Sequence, residues 1–169
     1  MPSGLSYYLV IVSPDERPLF EMHFPAPTSQ SNQVNTSTAV SEPDRFLPFV
    51  AHAALDQVDE QLFSSGSQQS MFLRTVDHFA DRFTDWSVAA FVTATRARFL
   101  LVYYYPVGAQ PPAATTQSAK ATEDAIRNFF QDLYELFTKF TRNPFYERWS
   151  RFNSPTFSRK ALLLANKYL

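Results

Sequence analysis

The chain has 169 residues, enough for one domain that buries roughly 70% of the surface its unfolded form exposes. Its formal net charge of -1 gives it no global attraction for nucleic acid or an anionic membrane, and the absence of cysteine excludes disulfides, thiolate nucleophiles and cysteine-held metals. The glycines are few and isolated, at Gly4, Gly66 and Gly108, so no loop is built to let backbone close around a phosphate.

Leu5 to Val12 and Leu19 to Phe24 are predicted as two strands joined by a hairpin at Ser13-Pro14-Asp15-Glu16-Arg17-Pro18, where Pro-Asp supplies turn chemistry. Both alternating sets of the first strand are apolar or aromatic: Tyr7, Leu9 and Ile11 on one side, Tyr8, Val10 and Val12 on the other. Such a strand needs cover on both faces. Residues 26 to 44, rich in Ser, Thr, Gln, Asn and Pro, hold too little apolar surface to offset the entropy of ordering and are expected to form a mobile loop.

A helix is predicted from Phe46 to Phe63, with Asp44 as N-cap and Pro48 in the first turn. At 3.6 residues per turn, Leu47, Val50, Ala51, Ala54, Leu55, Val58 and Leu62 make a broad apolar face, with His52, Asp56 and Asp59 opposite. Phe49 and Phe63 lie at the two ends of the outer side. An acidic stripe with aromatic ends, on a helix whose inner face already joins a core, is a surface for another protein.

Three strand-like runs follow with short connections, Met71 to Phe79, Trp86 to Thr93 and Arg98 to Tyr105. The connections are too short for parallel crossovers, so an antiparallel meander is expected. Phe99, Leu101 and Tyr103 alternate with Leu100, Val102 and Tyr104, which makes the last run and the first strand of the chain the central strands. Residues 106 to 120 are read as a second mobile loop. Ile126, Phe129, Phe130, Leu133, Phe137 and Phe140 then repeat at helical spacing, with Thr122 as N-cap, Glu123 and Asp124 in the first turn, and a stop near Asn143-Pro144. Ser154-Pro155 opens a closing helix whose inner stripe is Phe157, Ala161, Leu164 and Tyr168. The order strand, strand, helix, three strands, helix, helix describes one α+β domain over residues 1 to 169, with one helix on one face of the sheet and two on the other. No stretch reaches the roughly 20 apolar residues that span a bilayer, and no secretory leader is apparent, so a soluble cytosolic protein is expected.

Several blocks in this order resemble the sedlin family, the small subunit of the TRAPP vesicle-tethering complexes. They are Tyr8-Leu9-Val10-Ile11-Val12 with Pro18-Leu19-Phe20-Glu21-Met22; Phe49 to Glu60; Leu73-Arg74-Thr75-Val76-Asp77-His78-Phe79; Ala89-Ala90-Phe91-Val92-Thr93-Ala94; Arg98-Phe99; Ile126-Arg127-Asn128-Phe129-Phe130; and Asn143-Pro144-Phe145-Tyr146-Glu147 with Arg159-Lys160. The resemblance implies a longin-like (SNARE-like) fold, a five-stranded antiparallel sheet with the first helix on one face and the last two on the other. It also implies a non-catalytic adaptor in an assembly that activates a Rab-type GTPase by nucleotide exchange in endoplasmic reticulum to Golgi transport. The implied partners are other TRAPP core subunits and the larger subunits specific to each TRAPP form. Membrane association at the endoplasmic reticulum and Golgi would be peripheral, through the complex alone, and no cofactor is implied. The loops at 26 to 44 and 106 to 120, and the run Arg148-Trp149-Ser150-Arg151-Phe152, depart from the family pattern.

His52 and Asp56 stand one helical turn apart, the spacing of a His-carboxylate metal pair or of a base with its orienting acid. A metal site needs further ligands, and His23 and His78 fall on separate strands, so a surface pair is the simpler reading. The expected interface consists of Phe49, His52, Asp56, Asp59 and Glu60, with Asp56, Asp59 and Glu60 facing a basic patch on another subunit. Asn143-Pro144-Phe145-Tyr146 matches the NPxY form, but the helix stop accounts for Pro144, and Phe145 and Tyr146 are expected to pack at the corner between the last two helices. Basic residues Lys139, Arg142, Arg148, Arg151, Arg159 and Lys160 interleave with the aromatics Phe145, Tyr146, Trp149 and Phe152, a pattern compatible with nucleic acid, or with a solvated rim or a contact with an acidic partner or lipid headgroups; the net charge, which is not basic, favours the latter group. No serine sits in a Gly-x-Ser-x-Gly elbow. A longin-type regulatory domain of another trafficking machine and an uncharacterised hydrolase are the competing functions.

Overall fold

The computed structural model describes residues 6–24, 42–64, 71–80, 85–104 and 116–169. Five strands and three helices appear in the expected order: β1 Ser6–Val12, β2 Pro18–Phe24, α1 Glu42–Ser64, β3 Phe72–Ala80, β4 Asp85–Val92, β5 Arg98–Tyr104, α2 Thr116–Thr141 and α3 Pro155–Tyr168. The strands form one antiparallel sheet in the order β2-β1-β5-β4-β3, so β1 and β5 are interior strands and β3-β4-β5 is a meander.

Alternation in the strands separates two cores. Tyr7, Leu9 and Ile11 of β1, Phe99 and Leu101 of β5 and Phe91 of β4 pack with Ile126, Phe129, Phe130, Leu133 and Phe137 of α2 and Phe157, Ala161 and Ala165 of α3. On the reverse face Tyr8, Val10, Val12, Leu100, Val102, Val88 and Ala90 pack under Leu47, Val50, Ala51, Ala54, Leu55 and Val58 of α1. The layering of one helix opposite two follows from strands that are apolar on both sides.

The two hairpin turns at one end of the sheet are built alike. Ser13 N–H donates to Arg17 O and Glu16 N–H to Ser13 O, while Thr93 N–H donates to Ala97 O and Arg96 N–H to Thr93 O. Each is a turn closed by a left-handed residue, Glu16 at φ 61° and Arg96 at φ 62°, which supplies the twist that the flanking strands require. Neither is glycine.

Two of the three helix starts differ from expectation. α1 begins at Glu42, so Asp44 lies inside the helix rather than capping it, and Pro48 falls beyond the first turn. Pro43 fills the early position that suits the fixed proline φ, and the helix tolerates the amide that Pro48 lacks. α2 begins at Thr116, ahead of the expected cap at Thr122, because Gln117, Ala119, Lys120 and Ala121 are themselves good helix formers. The expected loops at 26 to 44 and 106 to 120 are therefore shorter by residues 42–44 and 116–120, and their remainder lies outside the described residues. α3 starts as expected: the Ser154 hydroxyl accepts from Phe157 N–H, and Pro155 occupies the first turn.

The connection between α2 and α3 is held by aromatic packing. Phe152 stacks on Phe20 at 5.3 Å between ring centroids, lies 4.3 Å from Phe140, and meets Phe157 and Tyr146 edge-on at 5.1 and 5.8 Å. Its amide donates to Leu19 O at 3.0 Å, and Arg151 reaches Glu21 at 3.2 Å, so this segment covers part of the outer edge of β2. The run from Arg148 to Phe152 thus closes the core. Trp149 packs against the same core, with Arg148 5.2 Å over its ring, so that ring is not a free platform for a stacked base.

Candidate interaction surface

α1 is positioned by its inner stripe, with Ala54 and Val58 fully buried and Leu55 4% exposed. That orientation places Phe49, His52, Ala53, Asp56, Glu60 and Phe63 in water. Phe49 is 72% and Phe63 83% exposed, values that a side chain with intramolecular packing partners does not show. Along the helix the outermost line runs Phe49, Ala53, Asp56, Glu60, Phe63, so two carboxylates stand between two aromatic rings. The rings are separated by about 21 Å of helix at 1.5 Å per residue.

Asp59 departs from this line. Its carboxylate takes two hydrogen bonds from Arg98 Nη2, at 2.7 and 3.0 Å, and it is only half exposed. Arg98 opens β5 on the face that α1 covers, and its side chain is 8% exposed; its other terminal nitrogen lies 3.9 Å from Glu16. A guanidinium that far from water requires a charged partner, and Asp59 supplies it from the flank of the helix. Asp59 therefore anchors α1 to the sheet rather than standing free for a partner, and the outward acids reduce to Asp56 and Glu60. Arg98→Met is expected to lower stability by about 1–2 kcal/mol, reduced from the fully buried case because Asp59 is partly solvated, and to lower Tm by about 5 °C. Thermal unfolding followed by circular dichroism checks this.

The remaining candidates resolve as follows. His23 lies on β2 and His78 on β3, at opposite edges of the sheet, so the topology keeps them from joining His52. Among the described residues no three His, Asp or Glu side chains come together as a metal centre requires. Phe145 does not pack at the helix corner: it is 95% exposed. The Asn143 side chain accepts from Phe145 N–H at 3.1 Å and Asn143 O accepts from Tyr146 N–H at 3.0 Å, a turn that puts Phe145 at its tip. Tyr146 does pack, 5.0 Å from Phe140, and burial raises its pKa above the ordinary phenol value. Of the C-terminal cations, Lys139 pairs with Glu135, Lys167 with Asp132 and Arg151 with Glu21. On α3, Leu162 and Leu163 are also exposed, at 41% and 62%, on the side of the sheet opposite α1.

A shallow groove lies beside the stripe and was not anticipated. Five strands at about 4.8 Å spacing span about 19 Å, while a helix covers about 10 Å. α1 rests mainly on β3 and β5, so the strip over β1 and β2 is left partly uncovered. A groove of about 190 Å³ results, with a floor of Tyr8, Val10, Val12 and Leu100 and walls that include Ala51, His52, Leu55, Glu16 and Glu21. The Tyr8 hydroxyl donates to Glu21 at 2.9 Å; burial first, then this hydrogen bond, pushes its pKa well above the ordinary phenol value. The signal in the sequence was Glu21 and His23 on an otherwise apolar strand, facing the side that has only one helix.

A five-stranded antiparallel sheet with one helix on one face and two on the other, joined in this order, defines a longin-like α+β domain. The Sedlin family model matches residues 11–167, and the chain belongs to the sedlin family. A Caenorhabditis elegans protein named probable trafficking protein particle complex subunit 2 is 34% identical over 96% of both chains. Its Drosophila melanogaster namesake is 30% identical over 97% of each. The transport protein particle 20 kDa subunit of Schizosaccharomyces pombe is 26% identical, covering 98% of this chain and 100% of its own. Among the described residues no helix is long and apolar enough to cross a membrane.

Proposed function

We propose that the chain is a non-catalytic adaptor subunit of a TRAPP-type tethering complex, acting in endoplasmic reticulum to Golgi vesicle transport within an assembly that exchanges nucleotide on a Rab-type GTPase. The relatives named above support an assembly of trafficking protein particle type. The observation that carries the adaptor role is the outer line of α1: Phe49 and Phe63 remain in water with Asp56 and Glu60 between them, although the helix has already packed its inner face. Aromatic side chains are enriched at protein–protein contacts relative to the rest of a surface, and these two rings take no part in packing the fold. The exposed Leu162 and Leu163 lie on the opposite side of the sheet, so two neighbours could be held at once, a core subunit on one side and a larger form-specific subunit on the other.

The protein is then cytoplasmic, and it reaches endoplasmic reticulum and Golgi membranes through the complex. The test is affinity purification of the tagged full chain from native cells, with the co-purifying chains identified by mass spectrometry. The expected result is a stoichiometric set of TRAPP core and larger subunits. Recovery of a vesicle coat or a SNARE in their place would favour a longin-type regulatory domain of another machine, and recovery of no stable partner would overturn the adaptor reading.

A further inference from the structure

We propose that the groove between α1 and the β1–β2 hairpin receives a single apolar side chain from a partner protein, flanked in the partner's sequence by lysine or arginine. The inference rests on the reading that this chain works bound within an assembly, and it adds the chemistry of one contact. The floor is apolar: Val10, Val12, Leu55 and Leu100 belong to the buried core, and Tyr8 turns its ring into the groove while its hydroxyl is spent on Glu21. A volume of about 190 Å³ accommodates one leucine-sized or phenylalanine-sized side chain. The rim is acidic. Glu16 is half exposed and Glu21 is 29% exposed on the hairpin side, and Asp56 stands one turn beyond His52 along the helix wall.

The cations nearby neutralise this rim only in part: Arg151 matches the charge of Glu21, while Arg98 is shared between Asp59 and Glu16. Arg98 is committed to Asp59 and sits 3.9 Å from Glu16, and Arg151 approaches Glu21 at 3.2 Å from the outer edge of β2. Glu16 is therefore held by one long contact, and Asp56 engages no ion pair among the described residues. An apolar floor with the excess negative charge of Glu16 on its rim and of Asp56 one turn along the helix selects an apolar anchor bracketed by positive charge and disfavours an acidic segment, because like charges brought together on docking are unfavourable.

The experiment places a photo-crosslinking phenylalanine analogue at position 18, where Pro18 is an exposed wall of the groove, in the full chain expressed in its native cells. Crosslinking is triggered before lysis and the joined peptides are identified by mass spectrometry. The expected result is a crosslink to a segment carrying a large apolar residue beside Lys or Arg, reduced about tenfold by the rim variant Glu16→Lys. No crosslink, a crosslink to a polar or acidic segment, or one insensitive to Glu16→Lys overturns the proposal. The two readings fail separately: a missing crosslink with TRAPP subunits still co-purifying removes the groove alone. A crosslink of the expected chemistry to a protein outside any tethering complex keeps the groove and removes the assembly.

Discussion

Asp56→Tyr is expected to leave the fold intact and to reduce recovery of partner subunits by about thirtyfold or more. The side chain is exposed and engages no ion pair among the described residues, so the substitution touches nothing that holds α1 in place. Surface changes of this kind move stability by about 0.5 kcal/mol, which shifts Tm by about 2 °C or less in a chain of this size. At an interface the same carboxylate would be desolvated against a cation. Losing one member of such a pair costs about 2–5 kcal/mol, and each 1.4 kcal/mol is about a factor of ten in affinity. Quantitative pulldown against the tagged chain reads the loss, with Asp124→Tyr on the exposed side of α2 as a matched change of charge and shape elsewhere. Unchanged recovery for Asp56→Tyr would mean that the outer line of α1 is not an interface.

Phe152→Ala is expected to be among the most destabilising single changes outside the central strands, at about 3 kcal/mol and about 10 °C in Tm. Its ring joins Phe20 of β2 to Phe140 of α2 and Phe157 of α3, so its removal opens a void at which three elements meet. Phe145→Ala, seven positions earlier and almost fully exposed, is expected to change stability by less than about 0.5 kcal/mol. Chemical denaturation of the two variants side by side separates a packed aromatic from an exposed one. Equal midpoints would contradict the packing described here.

Much of the fold could be read from short-range pattern. The double apolar alternation of Tyr7 to Val12 and of Phe99 to Val102 identified two of the three interior strands, β1 and β5, and Ser154-Pro155 marked the start of α3, because pleat and cap geometry are set within a few residues. The orientation of α1 was equally legible, since the inner stripe is a matter of helical period. Helix starts were less so. Glu42-Pro43 and Thr116-Gln117 follow polar, proline-rich stretches, and in such a context composition argues for loop while the favourable early proline and the strong helix formers extend the helix.

The candidate site was legible only where it depended on the helix itself. Phe49, His52, Asp56 and Glu60 face water as the wheel requires. Asp59 shares their flank in sequence, yet its partner Arg98 lies 39 positions away, and only the packing of α1 over the start of β5 brings them together. The groove has the same origin: it arises from the mismatch in width between one helix and five strands, which no local pattern records. Phe152 was obscured for a related reason, because its contacts come from β2, α2 and α3.

The bond from Phe152 N–H to Leu19 O has a consequence for how copies of this protein can meet. A β-sheet normally offers two open margins to a passing strand, and here the chain's own backbone obstructs part of one of them, at Leu19, while β3 is the terminal strand at the other. Among the described residues β3 is then the less obstructed margin, and two molecules joined strand to strand would meet more readily there than along β2. A pair formed through β3 closes on itself, whereas growth beyond it would have to use the β2 side, where the bond at Leu19 and the segment around Phe152 stand in the way.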